Sequence, residues 1–540
     1  MSEKKKEEKK KEEKKYGFDW GLEPKPVYKP EDLKGIEYEK DIGHPGEYPF
    51  IRGTFPLMYR SRPPLHRIYS GFLSGEDTNA RLRYLFDRGM NTMSIALDLP
   101  TQLGLDSDDP RAEDEVGRIG VAIDSLQDME DILKGIDLGK VSTNITINAL
   151  APILLSMYVA VGEKQGVGKD QINIVTQNDI LKEYVVRGAW IFPPRPALRT
   201  TVDVIEYCAR EIPKASPVSV AAGHLRSSGA TAAQEIGWGF AIAFAYLQTA
   251  LDRGMDVDQV ASFITFTFHN KLNFFEEAAK YRAARRIWAR LLKERFGAKN
   301  PRSLLLRSFG GGGMEELTMQ EPLNNIIRET CVALGCILGG VQGIGLCCYD
   351  EAYTIPSPEA QLIQMRTVQI LMEEANLGDV ADPLGGSYYM ERLTTDLENA
   401  IVAVMDEVDK AGGAVKAIED GLIQRICARG AYERQKKIDS GERVWVGANK
   451  YVSEGEEWDV KLHEYDPTLQ ERQVQKLNKV RKERDNSKVQ KCLKDLKEAA
   501  VSGANIVPPT LEAVKAYATV GEMTGVLREV FGEFKEPAVF

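Results

Sequence analysis

Short runs of apolar and β-branched residues recur through the middle of the chain, and segments with helical spacing separate them. Eight such runs predict strands, at residues 68–73, 92–97, 144–149, 172–177, 218–223, 262–268, 303–309 and 343–349. One stripe of the helix predicted after the sixth run carries apolar side chains, namely Phe274, Ala278, Tyr281, Trp288 and Leu292. Repeated strand–helix alternation predicts an α/β fold, a parallel (β/α)8 TIM barrel. A doubly wound sheet competes with it, but no GxGxxG follows the first strand.

One side of several predicted strands is small or polar, whereas ordinary barrel interiors are packed with Val, Ile and Leu. These positions are Ser94, Ala96, Asn144, Thr146, Asn148, Asn173, Val175, Gln177, Ser219, Ala221, Gly223, Thr265 and Thr267. If they faced the helices instead, their buried polar groups would need partners. The pattern favours the interpretation that they face inward and line an axial channel for a long, thin, amide-bearing ligand, although the outward orientation stays open.

The length of 540 residues predicts either several domains or one large barrel with extensions. Residues 1–15 alternate Lys and Glu and predict a disordered charged tail. Residues 16–66 are rich in Pro, Gly and Tyr, which is typical of an extended N-terminal arm. We assign residues 67–400 to the substrate-binding barrel and residues 401–540 to a helical C-terminal region and linker.

Charge and composition exclude several classes of partner. A net charge of −10 argues against nucleic acid, and no apolar run approaches the roughly 20 residues that span a bilayer. The N-terminus lacks an apolar signal-peptide core. The seven cysteines show no CxxC spacing, so we expect free thiols, a reducing cytoplasmic location and no metal site.

The chain has five histidines, and one of them, His224, ends the predicted fifth strand in VSVAAGHLRSSGAT. From the residues alone, a surface or core histidine accounts for this position, so a catalytic role needs further support. Strand ends at the carboxyl side are nevertheless where barrels carry catalytic groups.

Longer strings resemble the large, substrate-binding part of the adenosylcobalamin-dependent acyl-CoA mutases, the methylmalonyl-CoA mutase family. They occur in the family order and are PGEYPFIRG, YSGF, ALDLPTQLGLDSDDP, GVAIDSLQDM, QNDILKEY, KYRAARRIWARLL, FGAKNP and DPLGGSYYME. The resemblance runs over residues 45–450 and returns at LEAVKAYATVGEMTGVLREVFGE. It implies that the CoA arm threads the barrel axis and that adenosylcobalamin lies at the mouth, where it starts a radical rearrangement of the acyl carbon skeleton.

The resemblance also implies roles for individual residues. His224 matches the histidine that bonds the thioester carbonyl, Gln177 a polar residue beside it, and Tyr69 the tyrosine that flanks the migrating group. Arg187 matches the arginine that pairs with the substrate's free carboxylate, for which a guanidinium is well suited. Ala96 stands where relatives acting on hydroxyisobutyryl groups carry an acid. Together these residues imply a carboxy-acyl-CoA of the methylmalonyl/succinyl type.

Other matched positions carry less information, and a purely structural role stays open for each of them. The positions along the CoA path are Met58, Arg62, Arg67 and Ser94. The positions on the cofactor face are Gly71, Leu99, Gln102, Val186, Glu351 and Ala352, with Glu351 matching a carboxylate that bonds the adenosyl ribose.

The chain departs from the methylmalonyl enzymes at several sites. Gly223 replaces a tyrosine next to the catalytic histidine, Phe309 and Gly311 replace a histidine and a glutamine, Phe263 replaces an arginine, and Gln102 replaces a histidine. Loss of the tyrosine and the glutamine predicts free volume beside the acyl group, and voids of that size are rarely left empty. An alternative substrate is therefore a bulkier alkyl- or aryl-substituted succinyl- or malonyl-CoA.

The DxHxxG string of cobalamin-binding domains in this superfamily is absent. We therefore expect a separate small subunit to hold most of the cofactor, in a hetero-oligomer. Two other classes stay as alternatives. A different barrel lyase or aldolase would need a Schiff-base lysine or a metal-ligand cluster at the strand ends, and a non-catalytic binding or assembly homologue would be expected to lose His224, Tyr69 and Arg187.

Overall fold

A computed structural model describes residues 17–453, 458, 460–464 and 466–536, so the tail predicted at 1–15 lies outside the described residues. Within them, eight parallel strands form the barrel: β1 Leu65–Ser70, β2 Thr92–Ile95, β3 Ser142–Ile145, β4 Asn173–Thr176, β5 Val218–Val220, β6 Ile264–His269, β7 Ser308–Gly311 and β8 Gly343–Gly345. Their spatial order is β4-β3-β2-β1-β8-β7-β6-β5. A parallel bridge between Val175 and Ser216 brings β4 beside the start of β5. The predicted TIM barrel is confirmed.

Helices alternate with the strands, and the longer ones cover the outside of the barrel. They are α1 Gly75–Phe86, α2 Leu99–Gln102, α3 Leu126–Leu133, α4 Ala151–Lys164, α5 Ile180–Lys182, α6 Pro194–Glu211, α7 Gly223–Ser227, α8 Ala232–Asp252, α9 Val257–Phe263, α10 Phe274–Glu294, α11 Asn324–Gly339 and α12 Pro358–Glu373. Local sequence sets their starts, as where the Ser74 hydroxyl accepts a hydrogen bond from the Asp77 amide at the beginning of α1. In α10 the predicted stripe faces the core, since Tyr281 and Trp288 are fully buried.

The two faces of the strands differ as the sequence predicts. Outward-facing side chains such as Ile95, Ile145 and Phe266 are fully buried in the shell between strands and helices. Inward-facing side chains bond one another across neighbouring strands, and Asn144 Nδ2 donates to Ser94 Oγ over 3.0 Å. This mutual pairing keeps the barrel interior polar without filling it.

The seventh strand begins later than predicted. The run at 303–309 is apolar, but the strand is Ser308–Gly311, and Leu304 and Leu306 are buried in the irregular segment that leads to it. A short apolar run does not distinguish a strand from any other buried segment, which explains the error.

The described segments before and after the barrel pack against it. The C-terminal helices are α13 Tyr388–Lys410, α14 Ala414–Glu419, α15 Leu422–Asp439, α16 Leu469–Glu483, α17 Asn486–Ser502, α18 Val507–Lys515 and α19 Val520–Phe531. In the N-terminal arm, the Phe50 and Ile51 carbonyls accept hydrogen bonds of 2.9 and 2.8 Å from the buried Arg285 guanidinium. No helix of the described ranges is both long and apolar enough to cross a bilayer.

Candidate active site at the barrel mouth

A cavity of about 1110 Å³ occupies the barrel interior and opens at the carboxyl ends of the strands. Its size exceeds the range of about 300–1,000 Å³ usual for small-molecule pockets, which suits a long ligand. Many of the predicted site residues line it: Arg67, Tyr69, Gly71, Ser94, Gln102, Gln177, Val186, Arg187, His224, Phe309, Gly311, Glu351 and Ala352. The hollow barrel inferred from the strand pattern, with small and polar side chains among its inward positions, is therefore present.

Four predicted site residues lie elsewhere: Met58, Arg62, Leu99 and Gly223. Met58 and Arg62 precede β1 and lie at the amino ends of the strands, where the Arg62 guanidinium covers the Phe55 ring at 4.1 Å. Leu99 starts α2 and is 46 % exposed. Gly223 is buried beneath the cavity wall.

His224 stands in the first turn of α7, just after β5. Burial, together with the nearby Lys182 and Arg187 cations, holds its pKa well below the usual range, so the imidazole is neutral. Its buried Nδ1 has no hydrogen-bond partner in the described part of the chain. Because His224 lines the cavity, its neutral imidazole is available to a polar ligand atom.

Arg187 ends a π-helical turn, Glu183–Arg187, which Gly188 closes in the left-handed conformation at φ 83°. Its Nη1 lies 3.4 Å from Oε1 of Glu183, a fully buried carboxylate that also pairs with Lys182. Glu183 Oε2 accepts a 3.0 Å hydrogen bond from the Ala189 amide. The carboxylate holds the arginine from one side, while the guanidinium stays 29 % exposed and lines the cavity.

A second buried carboxylate connects the ends of β4 and β5. Asp179 accepts hydrogen bonds of 2.7 Å from the Tyr246 hydroxyl and the Ala221 amide. Burial raises the pKa of Asp179 to about 6. The bond to Ala221 fixes the backbone three residues before His224. Sequence reasoning quoted QNDILKEY but gave no role to Asp179, Lys182 or Glu183, because their importance lies in contacts with other elements.

Tyr69 and Gln177 flank the same space. Tyr69, on β1, is 49 % exposed and lines the cavity beside Thr146. Burial raises its pKa, so the phenol stays protonated. Gln177 accepts a 3.0 Å hydrogen bond from Asn148 Nδ2 through its side-chain oxygen, which orients its amide.

Arg67 and Phe309 form a stacked pair in the channel wall, with the guanidinium 3.5 Å from the ring centroid. Burial lowers the pKa of Arg67 to about 9, and no charged partner among the described residues offsets it. Its Nε also lacks a hydrogen-bond partner within those residues. A ligand with polar or anionic groups would satisfy this guanidinium.

The space at the two missing side chains is not free, which corrects that part of the sequence-based expectation. A Cβ at Gly223 would lie 2.3 Å from Cδ2 and 2.9 Å from the amide nitrogen of His269, and one at Gly311 would lie 2.0 Å from the Gly345 carbonyl oxygen. Both glycines therefore allow close approach of neighbouring groups, which take the space where a side chain would begin. His269, which sequence reasoning overlooked, occupies the space next to Gly223 and lines the cavity.

The rim of the mouth combines tight backbone contacts with one protonatable acid. A Cβ on Gly71 would lie 2.1 Å from the Ala96 carbonyl oxygen, so only glycine fits there. Burial raises the pKa of Glu351 to about 7, although its carboxylate accepts a 2.7 Å hydrogen bond from the Cys348 amide. Gln102 donates to the Leu97 carbonyl over 2.6 Å.

Comparison with known proteins gives consistent results. The methylmalonyl-CoA mutase family model matches residues 19–533. The chain is 42 % identical over 515 residues to the 2-hydroxyisobutanoyl-CoA mutase large subunit of Aquincola tertiaricarbonis, covering 95 % of this chain and 92 % of that protein. It is 40 % identical to methylmalonyl-CoA mutase of Rhizobium meliloti and 38 % identical to the human mitochondrial enzyme, with 95 % of this chain covered in both. The matches cover 72 % and 68 % of those two proteins.

Proposed function

We propose that this chain, which belongs to the methylmalonyl-CoA mutase family, catalyses the carbon-skeleton rearrangement of a carboxy-acyl-CoA. Mutases of this family are isomerases and depend on adenosylcobalamin. The proposal rests on one observation: a neutral imidazole and a half-paired guanidinium, His224 and Arg187, line one cavity large enough for an acyl-CoA.

The two groups suit the two polar ends of a carboxy-acyl thioester. Arg187 keeps donors free on the side away from Glu183 and can take a carboxylate through two parallel hydrogen bonds. His224 can donate a hydrogen bond to the thioester oxygen, which stabilises charge that develops there as the acyl group migrates. Tyr69 flanks the acyl group that would lie between Arg187 and His224. The Arg67 guanidinium in the channel offers a contact for polar groups of the CoA arm.

The residues at the mouth fit the cofactor. Gly71, Val186 and Ala352 present small or apolar surfaces at the rim, and Glu351 offers a carboxyl group that can bond a hydroxyl. When bound, adenosylcobalamin would supply the hydrogen-abstracting radical chemistry. The chain's own residues would hold the substrate and exclude water, since reactive intermediates need a closed, dry site.

We further propose that a small subunit brings most of the cofactor. A relative at 42 % identity is named as a large subunit, and no DxHxxG string occurs in this chain. The seven free cysteines, six of them buried, suit a reducing cytoplasmic location.

The test is reconstitution with product analysis. The chain, a small cobalamin-binding subunit and adenosylcobalamin are incubated with a panel of acyl-CoA thioesters, and mass spectrometry with chromatography identifies rearranged isomers. We expect conversion of methylmalonyl- or succinyl-type thioesters and none of the uncharged isobutyryl thioester. Conversion of only the uncharged thioester would contradict the proposed reaction. Activity of the chain without the small subunit would contradict the two-subunit assembly.

A further inference from the structure

His269 places a second imidazole in the acyl end of the cavity. It ends β6, and its ring stands edge-on to that of His224 with 5.8 Å between centroids. Its backbone is fixed from both sides, because the amide donates to Glu235 and the carbonyl accepts from Lys280, each over 2.8 Å. The ring therefore has a set position next to the groups that we assign to the thioester.

One side-chain hydrogen bond orients this ring. Its Nδ1 lies 2.8 Å from the Ser227 hydroxyl, which can donate to a bare ring nitrogen or accept from an N–H. Ser227 therefore holds the ring in place in either neutral tautomer.

This arrangement leaves Nε2 of His269 for a ligand. Burial lowers the pKa of His269, so the ring is neutral, and Nε2 is a donor or an acceptor according to the tautomer. Within the described residues, Nε2 has no hydrogen-bond partner, and the residue lines the cavity. A ligand hydroxyl, which can both donate and accept, complements Nε2 in either tautomer.

We propose that His269, oriented by Ser227, forms a second polar subsite of the acyl pocket and selects carboxy-acyl-CoA substrates whose branch carries a hydroxyl group. This inference rests on the proposed function and narrows the class of substrate. The carboxylate binds Arg187, the thioester oxygen binds His224, and the branch hydroxyl forms a hydrogen bond with Nε2 of His269. Gly223 permits it, because any side chain there would overlap the His269 ring.

The test is a pair of ligands of equal shape. Calorimetry on the full-length chain measures the dissociation constants of hydroxymethylsuccinyl-CoA and ethylsuccinyl-CoA, which differ by a hydroxyl in place of a methyl group, with methylmalonyl-CoA as the reference. We expect the hydroxyl ligand to bind about tenfold more tightly. His269→Phe should abolish or reverse this preference, since it keeps an aromatic ring and removes the ring nitrogens.

Two variants separate the subsite from general damage to the fold. Ser227→Ala should weaken the preference by freeing the ring, and Ser227→Thr, which keeps the hydroxyl, should retain it. His66→Asn is the matched control, because His66 lies on β1 outside the cavity lining. Equal binding of the two ligands by the wild type, or an unchanged preference in His269→Phe, would overturn the subsite alone. Failure of methylmalonyl-CoA to bind would overturn the proposed function itself.

Discussion

Replacing Arg187 with glutamine tests the carboxylate site. The variant removes the guanidinium but should leave the fold intact, because its 3.4 Å contact is the longest one to Glu183, which keeps Lys182 and the Ala189 amide as partners. Losing one partner of a buried, hydrogen-bonded charge pair costs about 2–5 kcal/mol. At about 1.4 kcal/mol per factor of ten, kcat/KM for the carboxy-acyl-CoA should fall between about thirtyfold and a few thousandfold.

The assay is steady-state isomerisation by the reconstituted enzyme, with unfolding by urea as a check on folding. Arg195→Gln is the matched control, since that side chain is 73 % exposed on α6 and pairs only with Glu419 in the described region. It should retain wild-type kcat/KM. If Arg187→Gln kept full activity on the carboxy substrate while remaining folded, the assignment of Arg187 to the carboxylate would be wrong.

Three further predictions concern the support of the site. Glu183→Gln removes the carboxylate that pairs with the buried Lys182 and should lower the free energy of unfolding in urea by about 3–5 kcal/mol. A double variant that also carries Lys182→Met should recover part of this loss, and an unchanged unfolding midpoint in Glu183→Gln would refute the prediction. Gly71→Ala should lower both the free energy of unfolding and the affinity for acyl-CoA, because the added Cβ would lie 2.1 Å from a backbone oxygen. Gly525→Ala is the control and should change neither, because the space at its Cβ is open. The pKa of His224 is lower in the folded chain than in the unfolded chain, so the unfolded chain binds protons more readily. The free energy of unfolding should therefore fall as the pH drops below about 6.5, and it should fall less in His224→Asn. An equal pH dependence of the unfolding free energy in the two proteins would contradict this prediction.

The barrel could be predicted because it depends on a local, repeated pattern. Alternating strands and helices give all eight strands, and the small and polar inward positions give the hollow interior. The start of β7 could not be placed, since the buried residues before Ser308 carry the same apolar signal as a strand. The apolar pattern before Ser308 predicts that these residues are buried but does not predict their backbone conformation.

Some site residues could likewise be predicted from local sequence, and others could not. His224 could be located because it ends a predicted strand, and Arg187 because it lies three residues after the family string QNDILKEY. His269 could not be assigned from sequence, because its place depends on contact with Gly223, which lies on another strand end. Its position as one of five histidines, at the end of the sixth predicted strand, was the one available signal. Replacing a large residue by glycine predicts a void only when no other chain segment fills it.

A crystal structure of the chain with a non-reactive carboxy-acyl-CoA analogue tests the central claim most directly. We predict that the pantetheine arm lies inside the barrel, with the carboxylate on Arg187 and the thioester oxygen within hydrogen-bond distance of His224. An arm lying outside the barrel, or a carboxylate bound away from Arg187, would contradict the account.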